Sequence, residues 1–205
     1  MAFFCLYTPD RLKRKSALTK EEYAVMKTRN LVLTALFASL TVIFSAISIP
    51  IPLSPVPFSL SVVAIFLAGA LLPKNQAALA QIVYLLLGIA GLPVFSEMRG
   101  GLGIIAGPTG GYLIAYPVMA WLIAFLIEKI NKRNFAVYFF SMAVGLFLLY
   151  TVGTVWLSFA AQLPFAAALS AGVLPFVVFD LVKAVLASFL AMTLYKVLSG
   201  RNYNA

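Results

Sequence analysis

The sequence predicts an all-α integral membrane protein, built as a six-transmembrane-helix bundle with ordered outer loops. Hydrophobic residues make up 63% of the 205 residues, charged residues make up 10%, and the mean hydropathy is +1.02. Soluble domains are closer to half apolar and a quarter charged, so this composition indicates a membrane protein. At ~20 residues per span, the length accommodates about six spans in one bundle, without a separate soluble domain.

The apolar runs place the spans and divide the chain into three parts. The predicted spans cover about residues 31–49, 58–72, 76–89, 108–127, 135–160 and 173–198, with a charge-free turn over 162–172 before the last span. We expect residues 1–26 to form a basic, flexible cytoplasmic extension, 27–198 to form the membrane domain and 199–205 to form a cytoplasmic tail. The extension does not read as a signal peptide, because its short apolar stretch precedes the charges.

The lysines and arginines predict the orientation of the bundle. With the N-terminus in the cytoplasm, 13 of the 15 basic residues fall on the cytoplasmic side, Arg99 falls outside and Lys183 lies within the last span. This positive-inside pattern explains the net charge of +9 without a nucleic-acid partner. We therefore expect a multi-pass membrane protein with both the N-terminus and the C-terminus in the cytoplasm.

Two unusual loops then fall on the outer side. Four prolines within residues 50–57 favour stiff, extended backbone between the first two spans. Most of the chain's 13 glycines lie within residues 88–112, where the third and fourth spans meet. Irregular backbone at membrane depth requires protein or a water-filled cavity around it, so we expect a solute pocket beneath these loops. An external turn with helix-packing glycines is the alternative.

Two charged residues lie deep within a predicted span. Asp180 and Lys183 are three residues apart, so they share one face of the last helix. Charges inside a membrane are costly and generally face a cavity or a partner, which favours a binding role. A structural pair whose charges only neutralise each other is the alternative. In the fifth span, Tyr150, Gly153 and Trp156 recur at helical spacing, which is typical of packing or of two rings with room for a flat ligand.

Several motifs stand in a fixed order along residues 27–198. They are Pro52…Pro55-Val56-Pro57-Phe58, Tyr84…Gly88…Gly91-Leu92-Pro93-Val94-Phe95, Gly107-Pro108-Thr109-Gly110-Gly111-Tyr112, Tyr150-x-x-Gly153-x-x-Trp156-Leu157 and Asp180-x-x-Lys183. Together they resemble the BioY family, the biotin-specific substrate-binding subunits of energy-coupling-factor (ECF) transporters. The chain departs from that family at Ser59 and Ser61, where the family has threonine and glutamine, and its Glu97 and Arg99 make the glycine region more charged.

The resemblance implies a six-helix subunit of the bacterial inner (plasma) membrane that captures biotin on the outer face and delivers it inward. Its implied partners are a coupling transmembrane protein and two ATPase subunits, and it implies no catalytic residue, cofactor or metal. Biotin carries a ureido ring with two N–H donors and a carbonyl, an apolar ring and a valerate carboxylate. We expect Asp180 to accept from the ureido N–H groups, and Lys183 to donate to the carbonyl or to pair with the valerate.

The other expected contacts combine apolar rings with backbone amides. The rings would flank the apolar part of biotin, and the amides at the start of the fourth span would offer a second anion site. These residues are Phe95, Tyr112, Tyr150 and Trp156 for the rings, and Thr109 and Gly110 for the amides.

Other functions stand beside this one as alternatives. The chain has no Gly-x-x-x-x-Gly-Lys-Ser/Thr motif and few acidic residues, so we expect no ATPase activity of its own. One cysteine and no histidine exclude an intrachain disulfide and argue against thiolate or imidazole metal sites. The competing classes are a subunit for another vitamin and an intramembrane enzyme with Asp180 as its acid or base. Such an enzyme would need a second carboxylate, a histidine or a reactive thiol beside Asp180. The sequence offers no such arrangement near it, so we expect no enzyme.

Overall fold

The computed structural model describes residues 20–52 and 54–200, and most of them belong to helices. In chain order the elements are α1 (Lys20–Ala46), β1 (Ser48–Ile49), β2 (Phe58–Ser59), α2 (Ser61–Leu71), α3 (Lys74–Ile89), a short 3₁₀ turn (Ser96–Met98), α4 (Leu102–Ala106), α5 (Gly110–Ile130), α6 (Phe135–Ala160), α7 (Phe165–Gly172) and α8 (Leu174–Gly200). The predicted extension over 1–26 and the predicted tail over 199–205 lie mostly outside the described residues.

Among the described residues, four helices are long and apolar enough to cross a membrane, as expected for a multi-pass membrane protein. These segments are Thr28–Ala46, Gly110–Ile130, Phe135–Ala160 and Leu174–Lys196. The predicted second and third spans coincide with α2 and α3, which have 11 and 16 residues. At a rise of ~1.5 Å per residue they extend about 17 and 24 Å, less than the ~30 Å hydrocarbon core. Helix length therefore supports four of the six predicted crossings.

Two approximate span boundaries shift by three residues, and one predicted turn contains a helix. The first span was predicted to reach residue 49 and ends at Ala46, and the second was predicted from residue 58 and begins at Ser61. Between the two helices, residues 48–49 and 58–59 pair as the antiparallel β1–β2 ribbon instead of continuing the helices. The predicted turn over 162–172 contains α7, which begins directly after Pro164, where a missing N–H costs no helical hydrogen bond.

Helix α5 runs through the centre of the bundle and contacts α2, α3, α4 and α6. Its Ile123 is fully buried between Gly69 of α2 and Gly145 of α6. A Cβ at Gly69 would lie 2.8 Å from the Ile123 side chain, and one at Gly145 would lie 2.7 Å from it. Small residues allow helices in a membrane to approach closely, so these two glycines set the spacing of the bundle.

The contacts between α1 and α3 give the directions of these helices. Gln81 donates to Thr41 at 3.2 Å, and Tyr84 shares a hydrogen bond with Ser45 at 2.9 Å. Because the two bonds follow the same order along both helices, α1 and α3 run parallel. The start of α1, with Arg29, therefore lies at the same end of the bundle as the start of α3.

The bundle has two chemically different ends. At the end where α3 begins, the Lys74 N–H donates to Glu128 Oε1 at 3.1 Å, and Arg133 donates to the Ala70 carbonyl at 3.2 Å. Arg133 also lies 4.8 Å from the ring centroid of Tyr195 in α8. We call this the basic end. The opposite end, which carries the β1–β2 ribbon, the 3₁₀ turn, α4 and α7, is called the pocket end.

Candidate functional site

A cavity of about 280 Å³ lies at the pocket end. Three segments line it: the loop between β1 and β2, residues 95–104, and the beginning of α5 with the residue before it. Its side chains with polar groups are Ser54, Ser59, Ser96, Glu97, Arg99, Thr109, Tyr112 and Tyr116. Small-molecule sites typically enclose about 300–1,000 Å³ and combine apolar walls with a few polar groups. This cavity lies just below that range in volume and has the same mixed lining, so it suits a ligand at the small end of the range.

The loop between β1 and β2 forms the first wall. The ribbon fixes both ends of the loop, since Ser48 pairs with Ser59, and within the loop the Val56 N–H donates to Ser54 Oγ at 3.0 Å. Three prolines face the cavity: Pro50, Pro55 and Pro57. Proline fixes φ and has no N–H to satisfy, so the loop can be stiff and lie against an apolar ligand at little cost.

Phe95 forms part of the second wall and is 1% exposed. Its ring fills the position that a Cβ at Gly88 would need, and it meets the Tyr84 ring edge-on with centroids 5.6 Å apart. The Gly101 N–H donates to the Gly88 carbonyl at 2.7 Å, and Gly101 has φ 97°, a conformation that other residues rarely adopt. Two glycines of the predicted glycine region therefore shape the wall that holds Phe95.

Tyr112 and Thr109 line the cavity from the first turn of α5. The Tyr112 hydroxyl donates to the Gly172 carbonyl of α7 at 3.0 Å, and its ring fills the position of a Cβ at Gly153. Of the two alternatives for Gly153, this contact favours packing, because the Tyr112 ring takes the space beside it. Gly110 packs against the Ile105 carbonyl of α4 and is not part of the lining.

Trp156 of α6 supports the cavity from behind. Its Nε1 donates to the Gly107 carbonyl at 2.9 Å, and a Cβ at Gly111 would collide with the Trp156 Cβ. The structure thus places Trp156 outside the cavity lining, as a contact that holds the beginning of α5 against α6.

Asp180 and Lys183 form a buried ion pair directly behind Ser59. Lys183 Nζ lies 2.8 Å from Asp180 Oδ1 and also donates to the Ser59 carbonyl at 2.7 Å. The Tyr150 hydroxyl donates to Asp180 Oδ2 at 2.7 Å, and Lys183 Nζ lies 3.8 Å from the ring centroid of Phe58. The two charged residues are 5% and 6% exposed and adjoin the cavity through Ser59, which lines it. The sequence correctly placed them on one helix face, and they pair with each other.

Sequence reasoning missed Tyr116 as a cavity residue and gave Ser61 no structural role. Tyr116 lines the cavity and shares a hydrogen bond of 3.0 Å with the buried Ser61, and Ser59 Oγ donates to Ser61 Oγ at 3.1 Å. Tyr116 could have been found from the sequence, because it lies one helical turn after Tyr112. The contact between Ser61 and Tyr116 joins residues 55 positions apart, and no local pattern predicts it.

Glu97 and Arg99 also face the cavity and pair with each other. The Phe95 N–H donates to the Arg99 carbonyl at 2.9 Å, which closes a tight turn, and the Glu97 N–H donates to Ser48 Oγ at 2.8 Å. Glu97 and Met98 have φ 62° and 57°, in the left-handed region that non-glycine residues rarely adopt. The sequence marked Glu97 and Arg99 only as departures from the family pattern.

Within the part of the chain that the structure describes, no group of three or more histidine, cysteine, aspartate or glutamate residues comes together as a metal site would require. The candidate site therefore consists of apolar walls, hydroxyl groups and two ion pairs.

Three comparisons relate this geometry to known proteins. A family model described as "BioY family" matches residues 15–200. The chain is 42% identical over 135 residues to the "Biotin transporter BioY" of Thermotoga maritima, covering 66% of this chain and 78% of that protein. It is 37% identical over 173 residues to the "Biotin transporter BioY" of Rhizobium etli, covering 80% and 92%. Among solved structures, it matches the "S-component for biotin from an ECF-type ABC transporter" with a TM-score of 0.79 and 29% identity, covering 87% and 95%.

Proposed function

The chain belongs to the BioY family, and we propose that it binds biotin in the cavity at its pocket end and serves in biotin uptake. Its relatives are transporters and its structural match is a transporter component, so the chain is a transport protein and not an enzyme. The observation that carries the proposal is a partly enclosed cavity in a chain that covers 95% of a biotin S-component.

Equilibrium binding of radiolabelled biotin to the purified chain in detergent tests this function. We expect saturable binding that unlabelled biotin displaces and that riboflavin and thiamine leave unchanged. Displacement by another vitamin at lower concentration than biotin would favour the alternative subunit class. No biotin binding by a folded chain would refute the proposal.

For the ureido group we propose Asp180 and Lys183, approached from the Ser59 side of the cavity. An ionised carboxylate offers about four acceptor positions and an ammonium offers three N–H donors. Asp180 accepts hydrogen bonds from Tyr150 and Lys183, and Lys183 donates to Asp180 and to the Ser59 carbonyl. Asp180 therefore keeps acceptor positions, and Lys183 keeps an N–H donor, for a ligand. These partners fix both charged groups, which supports a preorganised site.

For the apolar ring of biotin we propose the walls formed by Phe95 and Tyr112, since both line the cavity. Thr109 lines the same region and stays a proposed polar contact. Tyr150 and Trp156 support the site from behind in this proposal: Tyr150 orients Asp180, and Trp156 positions the start of α5, where Gly110 lies.

The valerate carboxylate has two candidate cations. Lys183 is buried beside Asp180, whereas the Arg99 side chain lines the cavity and is 62% exposed. We favour Arg99, because its exposed guanidinium can meet the charged end of the ligand with little desolvation, and guanidinium binds carboxylate through two parallel hydrogen bonds.

We propose six membrane crossings, with α2 and α3 as the short ones, in the bacterial inner membrane. The parallel arrangement of α1 and α3 requires the chain to return between them, and α2 is the helix that connects their opposite ends. The concentration of lysine and arginine at the basic end supports a cytoplasmic location for that end and for both termini.

Cysteine labelling tests the orientation. In a Cys5→Ser background, we expect Ser54→Cys and Ser96→Cys to react with an impermeant thiol reagent from outside, and biotin to slow both reactions. Lys132→Cys, at the basic end, is the matched control and should react only from the cytoplasmic side. The opposite sidedness for the two sets would overturn the proposed topology.

The structural match is a component of an ECF-type ABC transporter, which supports the coupling transmembrane protein and the two ATPase subunits as proposed partners. On α1, Ala35 and Ser39 are exposed, whereas the neighbouring Ala38 is 2% exposed and packs inside the bundle. Small residues one turn apart allow another helix to approach closely, so we propose this face of α1 for a partner helix.

A further inference from the structure

The turn between Phe95 and Arg99 brings a carboxylate and a guanidinium together at the wall of the cavity. Glu97 and Arg99 both line the cavity, and Glu97 Oε2 pairs with the Arg99 guanidinium. In the proposed site this guanidinium is the group that receives the carboxylate of biotin. The protein therefore already presents a carboxylate to the cation that the ligand would use.

We propose that Glu97 is a specificity-determining competitor: it holds the Arg99 guanidinium and gives it up when the carboxylate of the ligand binds. This inference rests on the proposed function. In this role, Glu97 restricts the contribution of Arg99 to binding affinity to ligands that carry a negative charge.

The competition follows from the geometry of the two charged groups. Glu97 accepts from the Arg99 guanidinium, so a carboxylate of the ligand cannot use the same N–H groups while this pair is in place. Two negative charges at one cation also repel each other across the partly enclosed cavity. A ligand carboxylate therefore displaces Glu97, whereas a neutral ligand leaves the Glu97–Arg99 pair in place.

The backbone explains why Glu97 stays beside Arg99 and why it can still move. Its N–H donates to Ser48 Oγ at 2.8 Å, and φ 62° at Glu97 directs the chain through the tight turn. These features involve only the backbone of Glu97, so they do not hold its side chain against Arg99. The Glu97 and Arg99 side chains are 22% and 62% exposed, so solvent weakens the pair enough for a ligand to replace it.

Biotin and biotin amide distinguish this competition from other effects of the charge. In purified Glu97→Gln we expect biotin to bind about two- to fivefold more tightly than in the wild type, which is the range for one exposed ion pair. Biotin amide, which has no negative charge, should bind both proteins equally and also shows that the variant is folded. Glu128→Gln, which removes an acidic charge at the basic end, is the matched control and should change neither affinity.

The Arg99→Gln background completes the test. If Glu97 acts through Arg99, the gain from Glu97→Gln disappears in the double variant. A gain that persists in that background, or an equal gain for biotin amide, would mean general charge repulsion and would overturn the inference. Unchanged or weaker biotin binding by Glu97→Gln would overturn it as well. If the wild type binds no biotin, the proposed function fails and the inference fails with it, whereas wild-type binding without the expected gain removes the inference alone.

Discussion

The two ends of the bundle each contain a lysine–carboxylate pair, and the pairs differ in burial and in the distance between the charged atoms. At the basic end, Lys74 Nζ lies 3.9 Å from Glu128 Oε2, and the side chains are 37% and 27% exposed. At the pocket end, Lys183 Nζ lies 2.8 Å from Asp180 Oδ1, with side chains 8% and 7% exposed. Exposed pairs contribute little to stability, whereas a buried charge must keep its partners.

The segments that connect the helices also differ between the two ends. At the basic end, Asn134 caps α6 by accepting from the Val137 N–H at 3.0 Å, and Asn131 ends α5 in a left-handed conformation. Such caps are common at any helix end. At the pocket end, the ribbon, the proline loop and the glycine contacts build walls around a cavity. Among the described residues, the contacts at the basic end cap helices and reverse the chain, whereas those at the pocket end hold fixed groups around a cavity.

The largest expected effect comes from the Asp180–Lys183 pair. Asp180→Asn and Lys183→Met should each destabilise the fold, by roughly 3–5 kcal/mol, because each leaves one buried charge unpaired. The double variant should recover much of this stability and still bind biotin about 10- to 100-fold more weakly, since a hydrogen bond to a charged group contributes about 1.5–3 kcal/mol. Thermal unfolding and equilibrium biotin binding measure the two quantities separately.

The recovery should be incomplete, because Lys183→Met also removes the donor to the Ser59 carbonyl. The matched control is Lys74→Met with Glu128→Gln, which removes the pair at the basic end and should leave biotin binding unchanged. Full recovery of both stability and binding in the Asp180/Lys183 double variant would show that the pocket-end pair only neutralises its own charges.

A glycine contact at the pocket end gives the next effect. Gly111→Ala should destabilise the protein by about 1–3 kcal/mol and weaken biotin binding, because the new methyl group meets the Cβ of Trp156, which cannot rotate away. Gly103→Ala is the matched control, since a Cβ there has no atom within 4 Å. Thermal unfolding in detergent measures both variants, and equal melting temperatures would contradict the packing role of Gly111.

The same contacts explain how far the sequence could predict the structure. Spacing along one helix predicted that Asp180 and Lys183 share a face, and the many glycines of residues 88–112 predicted irregular backbone there. The bond from Lys183 to Ser59 joins residues 124 positions apart, and the bond from Trp156 to Gly107 joins residues 49 positions apart. Such contacts depend on how the helices pack, so no spacing along the chain predicts that Trp156 holds the beginning of α5 from behind the cavity lining.

The exposed face of α1 gives a smaller effect on the protein itself. Ala35→Leu should leave stability and biotin binding unchanged, because residue 35 is exposed, and should reduce association with the proposed coupling protein. Ala38→Leu, three residues away and buried, is the contrasting variant and should destabilise the bundle by about 1–3 kcal/mol. Co-purification with the coupling protein measures association. Equal loss of stability in the two variants would mean that residue 35 packs inside the bundle.

The smallest effect is expected at the basic end, where Glu128 has two separable roles. One carboxylate oxygen accepts from the Lys74 backbone N–H at 3.1 Å, and the other faces Lys74 Nζ at 3.9 Å. No side chain of α3's own N-terminal residues caps the helix, so Glu128 satisfies one of the N–H groups left open at its start. Loss of such a cap costs about 0.5–2 kcal/mol, whereas loss of an exposed ion pair costs ~0–1 kcal/mol.

Three variants separate these roles by thermal unfolding. Lys74→Met removes only the ion pair and should change the free energy of unfolding least, while Glu128→Gln keeps an oxygen acceptor for the Lys74 N–H and should cost little more. Glu128→Ala removes both roles and should cost most. If Lys74→Met is as destabilising as Glu128→Ala, the ion pair rather than the cap is what matters at this end. Biotin affinity should be unchanged in all three, because the altered contacts lie at the basic end, and neither Lys74 nor Glu128 lines the cavity.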